Sequence, residues 1–253
     1  MKALREAKLQ TSWLAPDEAY ETGCREFLFG ILAPQRRDAF LKELSAFVER
    51  IGRAGALNSL QQTVLRLASP GIPDLYQGTE LWDFSLVDPD NRRPVDFAKR
   101  ESWLPQAQTP PSEFLADWRD GRVKLAVIQR VLALRTHLPE LLSQGTYMPL
   151  AVRGAHASSV IAFARRHGNA WAVVIASRLA AGLLGADGDL PLVEPARWAD
   201  TAIEMPSDLS ARALFDSLSP AAPKVDEHGL LYLRDALAAM PVAVLVEDGV
   251  PRS

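Results

Sequence analysis

Apolar side chains recur at helical spacing over residues 18–32, 38–53, 57–68 and 122–138, and beyond residue 145 the rhythm changes to alternation or short apolar runs. In the second segment Phe40, Leu44, Phe47, Val48 and Ile51 form one stripe while Glu43, Glu49 and Arg50 fall elsewhere, which predicts a helix with a single buried side. Pro16 fits a first helical position and Asn58 a helix start, whereas Pro70-Gly71 ends the third segment. Residues 72–76 are then predicted as a short strand. Residues 82–111 lose periodicity and fill with Asp, Asn, Arg and Pro, so they read as a long ordered loop with a short helix near 96–103.

In the second half, residues 160–164, 171–176, 213–218, 230–233 and 242–246 are each bounded by turn formers, including His167-Gly168-Asn169 between the first two. Trp198 and Ile203 mark a further candidate strand, and residues 180–195 carry no clear period. The fold class expected is α+β: a mostly helical part over residues 1–144, then an antiparallel β-sandwich over residues 145–253.

Composition narrows the classes of function. With 253 residues and 48% apolar side chains the chain can build a real core. Its 28 Lys and Arg against 31 Asp and Glu give a net charge of -3, so no positive field draws in phosphate backbones and nucleic acid is not expected as a partner. The single cysteine, Cys24, has no intramolecular partner and reads as a small apolar residue in a helix. No apolar run reaches the length of a membrane span, and residues 1–9 do not read as a signal peptide, which points to the cytoplasm. His137, His156, His167 and His228 are scattered without metal-site spacing, and there is no phosphate loop or nucleophile elbow, so neither metal nor cofactor is expected.

The informative stretch is residues 69–93, where Glu80, Asp83, Asp88, Asp90, Arg92 and Arg93 stand beside Tyr76, Trp82 and Phe84. Carboxylates, guanidinium forks and flat rings suit the hydroxyls and apolar face of a sugar. The other reading is a solvated turn, because Asp88-Pro89-Asp90-Asn91 is good turn composition. Glu80 with Asp83 or Asp88 would make a small glycosidase if the pair were held about 5 Å apart.

The run Gly71-Ile-Pro-Asp-Leu-Tyr-Gln-Gly-Thr-Glu80 resembles the last barrel strand and following loop of the α-amylase superfamily, glycoside hydrolase family 13. A longer run, residues 57–63 with 70–96, resembles the maltooligosyltrehalose synthases in particular, as do Arg5-Glu6-Ala7, Thr11-Ser12-Trp13, Tyr20-Glu21 and residues 141–150. The resemblance implies an isomerase of trehalose biosynthesis, and it makes the helices the last part of a (β/α)8 barrel. It places the three catalytic carboxylates upstream of this chain, so no catalytic residue is assigned here and the chain alone is expected to be inactive. Tyr76, Glu80, Trp82, Asp88, Asp90, Asn91 and Arg92 are the substrate-binding candidates it leaves, with Trp13 and Tyr20 as second choices. The partners implied are a maltooligosaccharide, the missing N-terminal catalytic portion, and a second copy joined through uncovered apolar stripes. A stand-alone carbohydrate-binding or interaction module is the alternative outside enzymology.

Overall fold

The computed structural model describes residues 1–33, 39–85, 92–104, 109–186 and 188–247. The chain divides into two compact units: Met1–Arg50 with Asp83–Asp96, and Ile51–Trp82 with Phe97–Ser253.

The first unit holds α1 (Lys2–Ala7), α2 (Glu18–Ile31) and the opening turns of α3 (Ala39–Ala68). Asp17, rather than Pro16, begins α2: its carboxylate accepts from the Tyr20 N–H at 2.9 Å and satisfies one of the amides a helix start leaves open. A polar clasp joins α1 to α2. Arg5 donates twice to Glu21 at 2.7 Å, and the Thr11 hydroxyl adds a third bond at 2.7 Å. The Arg5 guanidinium, then the Thr11 hydroxyl, hold the Glu21 carboxyl down at about 2. The expected buried stripe is corrected here: Phe40, Phe47, Val48 and Ile51 are all close to half exposed, and on α2 Phe27 and Phe29 are about two-thirds exposed. Helical spacing chose the face, but among the described residues nothing within this unit covers it.

In the second unit α3 runs on without a break to Ala68, where two helices were expected. Leu57, Leu60, Val64 and Leu67 are fully buried, and that packing outweighs the helix-weakening Gly52 and Gly55. Next come α4 (Phe97–Trp103), α5 (Arg122–His137) and α6 (Pro139–Ser143). Helix α5 is buried nearly all round, through Val123, Leu125, Val127, Ile128, Val131 and Leu134. The strands are β1 (Thr146–Pro149), β2 (Val152–Arg153), β3 (Val160–His167), β4 (Ala170–Ser177), β5 (Ala202–Glu204), β6 (Leu214–Asp216), β7 (Leu230–Tyr232) and β8 (Val242–Glu247), with short helices α7 (Ser207–Ser210) and α8 (Leu233–Ala236) among them.

They form a five-stranded sheet in the order β1-β3-β4-β8-β6 and a three-stranded sheet β2-β5-β7, paired antiparallel throughout. Alternation along the central strands feeds two cores. Trp171, Val173 and Ile175 of β4, with Ala243 and Leu245 of β8, join Ile203 and Leu231 of the smaller sheet. Their neighbours Ala172, Val174, Val242, Val244 and Val246 pack with Leu60, Val64, Val127, Val131 and Leu134 of α3 and α5. The inner strands β4 and β8 of the larger sheet are thus buried on both faces, which is why they read as apolar runs. Among the described residues there is no closed barrel. Residues 72–76 form no strand, contrary to the sequence expectation: Pro73 has no N–H to offer a ladder, no strand among the described residues pairs with them, and Ile72 is 97% exposed.

Candidate functional site

The segment 69–82 leaves the end of α3 and is fixed at both ends by cations. Pro70 stops the helix, and Gly71 turns the chain with φ +95°, a backbone that glycine adopts without a Cβ penalty. Three residues collect the open carbonyls around that turn. Arg135 donates to the Leu67 carbonyl at 2.7 Å and also to that of Gly71, while Ser69 returns its hydroxyl to Leu65 at 2.7 Å. Arg165 is fully buried and donates to Ala68 at 2.9 Å, Leu142 at 3.1 Å and Gly145 at 2.8 Å. It draws the C-terminal ends of α3 and α6 onto one guanidinium, where the helix dipoles favour positive charge. Burial, and then the neighbouring Arg135 charge, lower the Arg165 pKa from its ordinary value.

Beyond Tyr76 the chain makes a turn in which Thr79 gives both its N–H (3.1 Å) and its hydroxyl (2.6 Å) to the Tyr76 carbonyl. Tyr76 is 45% exposed. Glu80 meets Arg100 of α4 at 2.7 Å, and the same guanidinium takes the Gly78 carbonyl at 2.7 Å. The Glu80 carboxylate is therefore an oriented acceptor at the rim of the turn. Leu81 is buried, and its carbonyl accepts from Lys124 of α5 at 3.2 Å. Trp82 donates its indole N–H to the Trp118 carbonyl at 2.6 Å, and the two rings meet edge to face at 6.5 Å. Gly121 lets the backbone approach closely: a Cβ there would come within 3.1 Å of the Trp82 backbone nitrogen and 3.3 Å of the Leu81 Cβ.

Of the sequence candidates, Tyr76, Glu80 and Trp82 fall on this one clamped segment. Arg92 is exposed and belongs to the first unit. Asp88, Asp90 and Asn91 lie outside the described residues. Trp13 donates to Glu6 at 2.7 Å under the Arg5 guanidinium, and Tyr20 is partly exposed on α2. Asp83 accepts from the backbone and hydroxyl of Ser85 at 2.9 and 2.5 Å. Sequence reasoning missed Arg100, Trp118, Lys124, Arg135 and Arg165, the residues that hold the segment. A signal existed for Arg165: the period of two in β3 puts it on the face of Phe163, toward the helices. Among the described residues no group of His, Cys, Asp and Glu has the arrangement of a metal site, and no helix is long and apolar enough to cross a membrane.

What the clamp offers is a partly exposed tyrosine and a fixed carboxylate on a segment whose backbone is held by cations. Such a surface can bind and orient a polyhydroxylated ligand. Set against known proteins, 97% of the chain superposes on the solved maltooligosyltrehalose synthase of Arthrobacter ramosus with a TM-score of 0.73 and 36% sequence identity. This chain is similar to one portion of the maltooligosyltrehalose synthases. A solved mutant of the same enzyme gives a TM-score of 0.74, and another solved maltooligosyl trehalose synthase, 26% identical, gives 0.68. A protein of Mycobacterium tuberculosis, named as an inferred maltooligosyl trehalose synthase, is 38% identical over 164 residues, 65% of this chain. No family model matches. The chain spans 19% of the length of the Mycobacterium relative and 29% of the Arthrobacter enzyme.

Proposed function

We propose that this chain is the C-terminal portion of a maltooligosyltrehalose synthase, a cytoplasmic isomerase of glycoside hydrolase family 13 in trehalose biosynthesis. The enzyme rearranges the reducing-end α-1,4 bond of a maltooligosaccharide into an α,α-1,1 bond. The observation that carries this reading is the match over 97% of the chain to the Arthrobacter synthase at 36% identity. In this reading residues 1–144 are the last helical part of a (β/α)8 barrel and residues 145–253 are a β-sandwich.

The rearrangement is a retaining one, needing a carboxylate nucleophile and a carboxylic acid on opposite sides of the scissile bond. Both belong to the portion this chain does not span. Tyr76, Glu80 and Trp82 supply part of a sugar-binding wall. Asp88, Asp90, Asn91 and Arg92 are the remaining sugar-binding candidates that the family resemblance leaves. Glu80 serves as an acceptor for sugar hydroxyls, a role its bond to Arg100 supports. The chain alone is inactive.

The test is a long incubation of the isolated chain with maltopentaose, followed by an assay of reducing ends. No loss and no gain is expected. A change that disappears in Glu80→Gln would overturn the reading in favour of a small glycosidase built on Glu80.

A further inference from the structure

We infer that the pocket over the turn preceding α5 is a second sugar-binding site, one that takes a short α-1,4-linked glucose oligomer without help from Tyr76 or Glu80. The class of sugar rests on the functional reading above; the site rests on its own geometry. The pocket has a volume of about 400 Å3 and, among the described residues, is lined by Ala116, Asp117, Arg119, Asp120 and Arg122. That is the size of a small-molecule site. Its floor is a turn closed by its own backbone: the Asp120 N–H donates to the Asp117 carbonyl at 3.1 Å and the Gly121 N–H to the Trp118 carbonyl at 3.1 Å. Gly121 then takes φ +87°, which lets α5 start at Arg122.

The charged side chains of the lining are oriented before any ligand arrives. Arg122 donates to Asp120 at 2.6 Å and faces Asp117 at 3.5 Å, with its guanidinium over the rings of Phe114 (5.4 Å) and Trp103 (5.8 Å). Arg119 donates to Asp189 at 3.0 Å and lies over the Trp118 ring at 4.8 Å, while the Trp118 indole N–H donates to the Asp189 carbonyl at 3.0 Å. Two guanidinium groups and two carboxylates leave the lining with no net charge. A phosphate would meet the carboxylates and a cation the guanidinium groups, each facing like charge. A neutral polyol meets neither obstacle, because its hydroxyls donate to the carboxylates and accept from guanidinium N–H groups. With the side chains already fixed, little ordering is left to the binding step. The same turn carries the Trp118 carbonyl that holds Trp82, so the pocket and the Tyr76–Trp82 segment share a scaffold, though the pocket lining includes none of Tyr76, Glu80 and Trp82. A glucan chain retained here stays at high local concentration beside that segment.

The experiment is an amide NMR titration of the full chain with maltotriose, repeated with inorganic phosphate. Saturable shifts over residues 116–122 with a Kd of about 1 mM are expected from maltotriose and none from phosphate. The double variant Asp117→Ala with Arg119→Gln alters exposed side chains, and it should weaken binding at least about tenfold. Ala116→Trp, which fills the pocket and keeps all four charges, should do the same, while Glu80→Gln should leave these shifts in place. Absence of saturable shifts at 116–122, the same shifts from phosphate, or binding unmoved by both pocket variants would each overturn the proposal. It and the functional reading fail separately. Shifts confined to residues 76–82 and abolished by Glu80→Gln overturn the second site and sustain the reading. Shifts at 116–122 in a chain that by itself cleaves maltotriose sustain the second site and overturn the reading.

Discussion

Asp216, at the end of β6, is a carboxylate taken wholly out of water, and burial pushes its pKa up to about 6. Hydrogen bonds from Ser219 at 2.7 Å, the Leu218 N–H at 3.1 Å and the Val244 N–H at 3.0 Å, together with the Arg130 charge, oppose that rise without cancelling it. Because the folded state holds this proton more tightly than the unfolded chain does, its contribution to stability is greatest below about pH 4. It falls by on the order of 3 kcal/mol as the pH rises through 6. Asp216→Asn keeps an oxygen for the two amides and can donate to Ser219, so urea unfolding should show that pH slope removed. Asp216→Ala leaves both amides unpaired and should cost about 1–3 kcal/mol at neutral pH. Glu21 has the opposite sign. Its carboxyl sits near 2, so its contribution is complete above about pH 4.5 and is lost as the pH falls toward 2. The Arg5 guanidinium resonance, followed by NMR, should shift through that acid window and stay fixed from pH 5 to 7. Neither role was legible beforehand, because a single position in a sequence does not say which carboxylate folding will surround.

At the scale of elements, helical spacing located α2 and α5, and alternation or short apolar runs located β3, β4, β6, β7 and β8, because those patterns are the local cause of the structure. Reading failed where tertiary contact decides. A helix break was expected between residues 53 and 57, yet α3 is continuous, its glycines carried by the buried Leu57–Leu60–Val64 face. A Cβ on Gly55 would meet nothing within 4 Å, so Gly55→Ala should raise unfolding stability by about 0.5–1 kcal/mol. The end of α3 depends on Arg165 in the same way. Arg165→Met strands the carbonyls of Ala68, Leu142 and Gly145 in the core, and a loss on the order of 3 kcal/mol in denaturant unfolding is expected. Of the candidate site, Tyr76, Glu80 and Trp82 were legible because aromatic and carboxylate residues cluster there. The cations and the second tryptophan that fix them come from α4, α5 and residues 111–120, far along the chain, and no local pattern connects them.

For the molecule as a whole, two facts pull together: a second unit with two well-filled cores, and helices in the first unit with apolar faces open to water. A polypeptide meant to function alone buries such faces; a portion of a larger enzyme leaves them for the rest of it. The most direct measurement of that account is trehalosyl product formed from maltopentaose by the chimera in which this chain completes the Arthrobacter synthase, beside the isolated chain at equal concentration. The account expects turnover from the chimera and none from the chain alone. A folded chimera without turnover, or an isolated chain that turns the sugar over by itself, would contradict it.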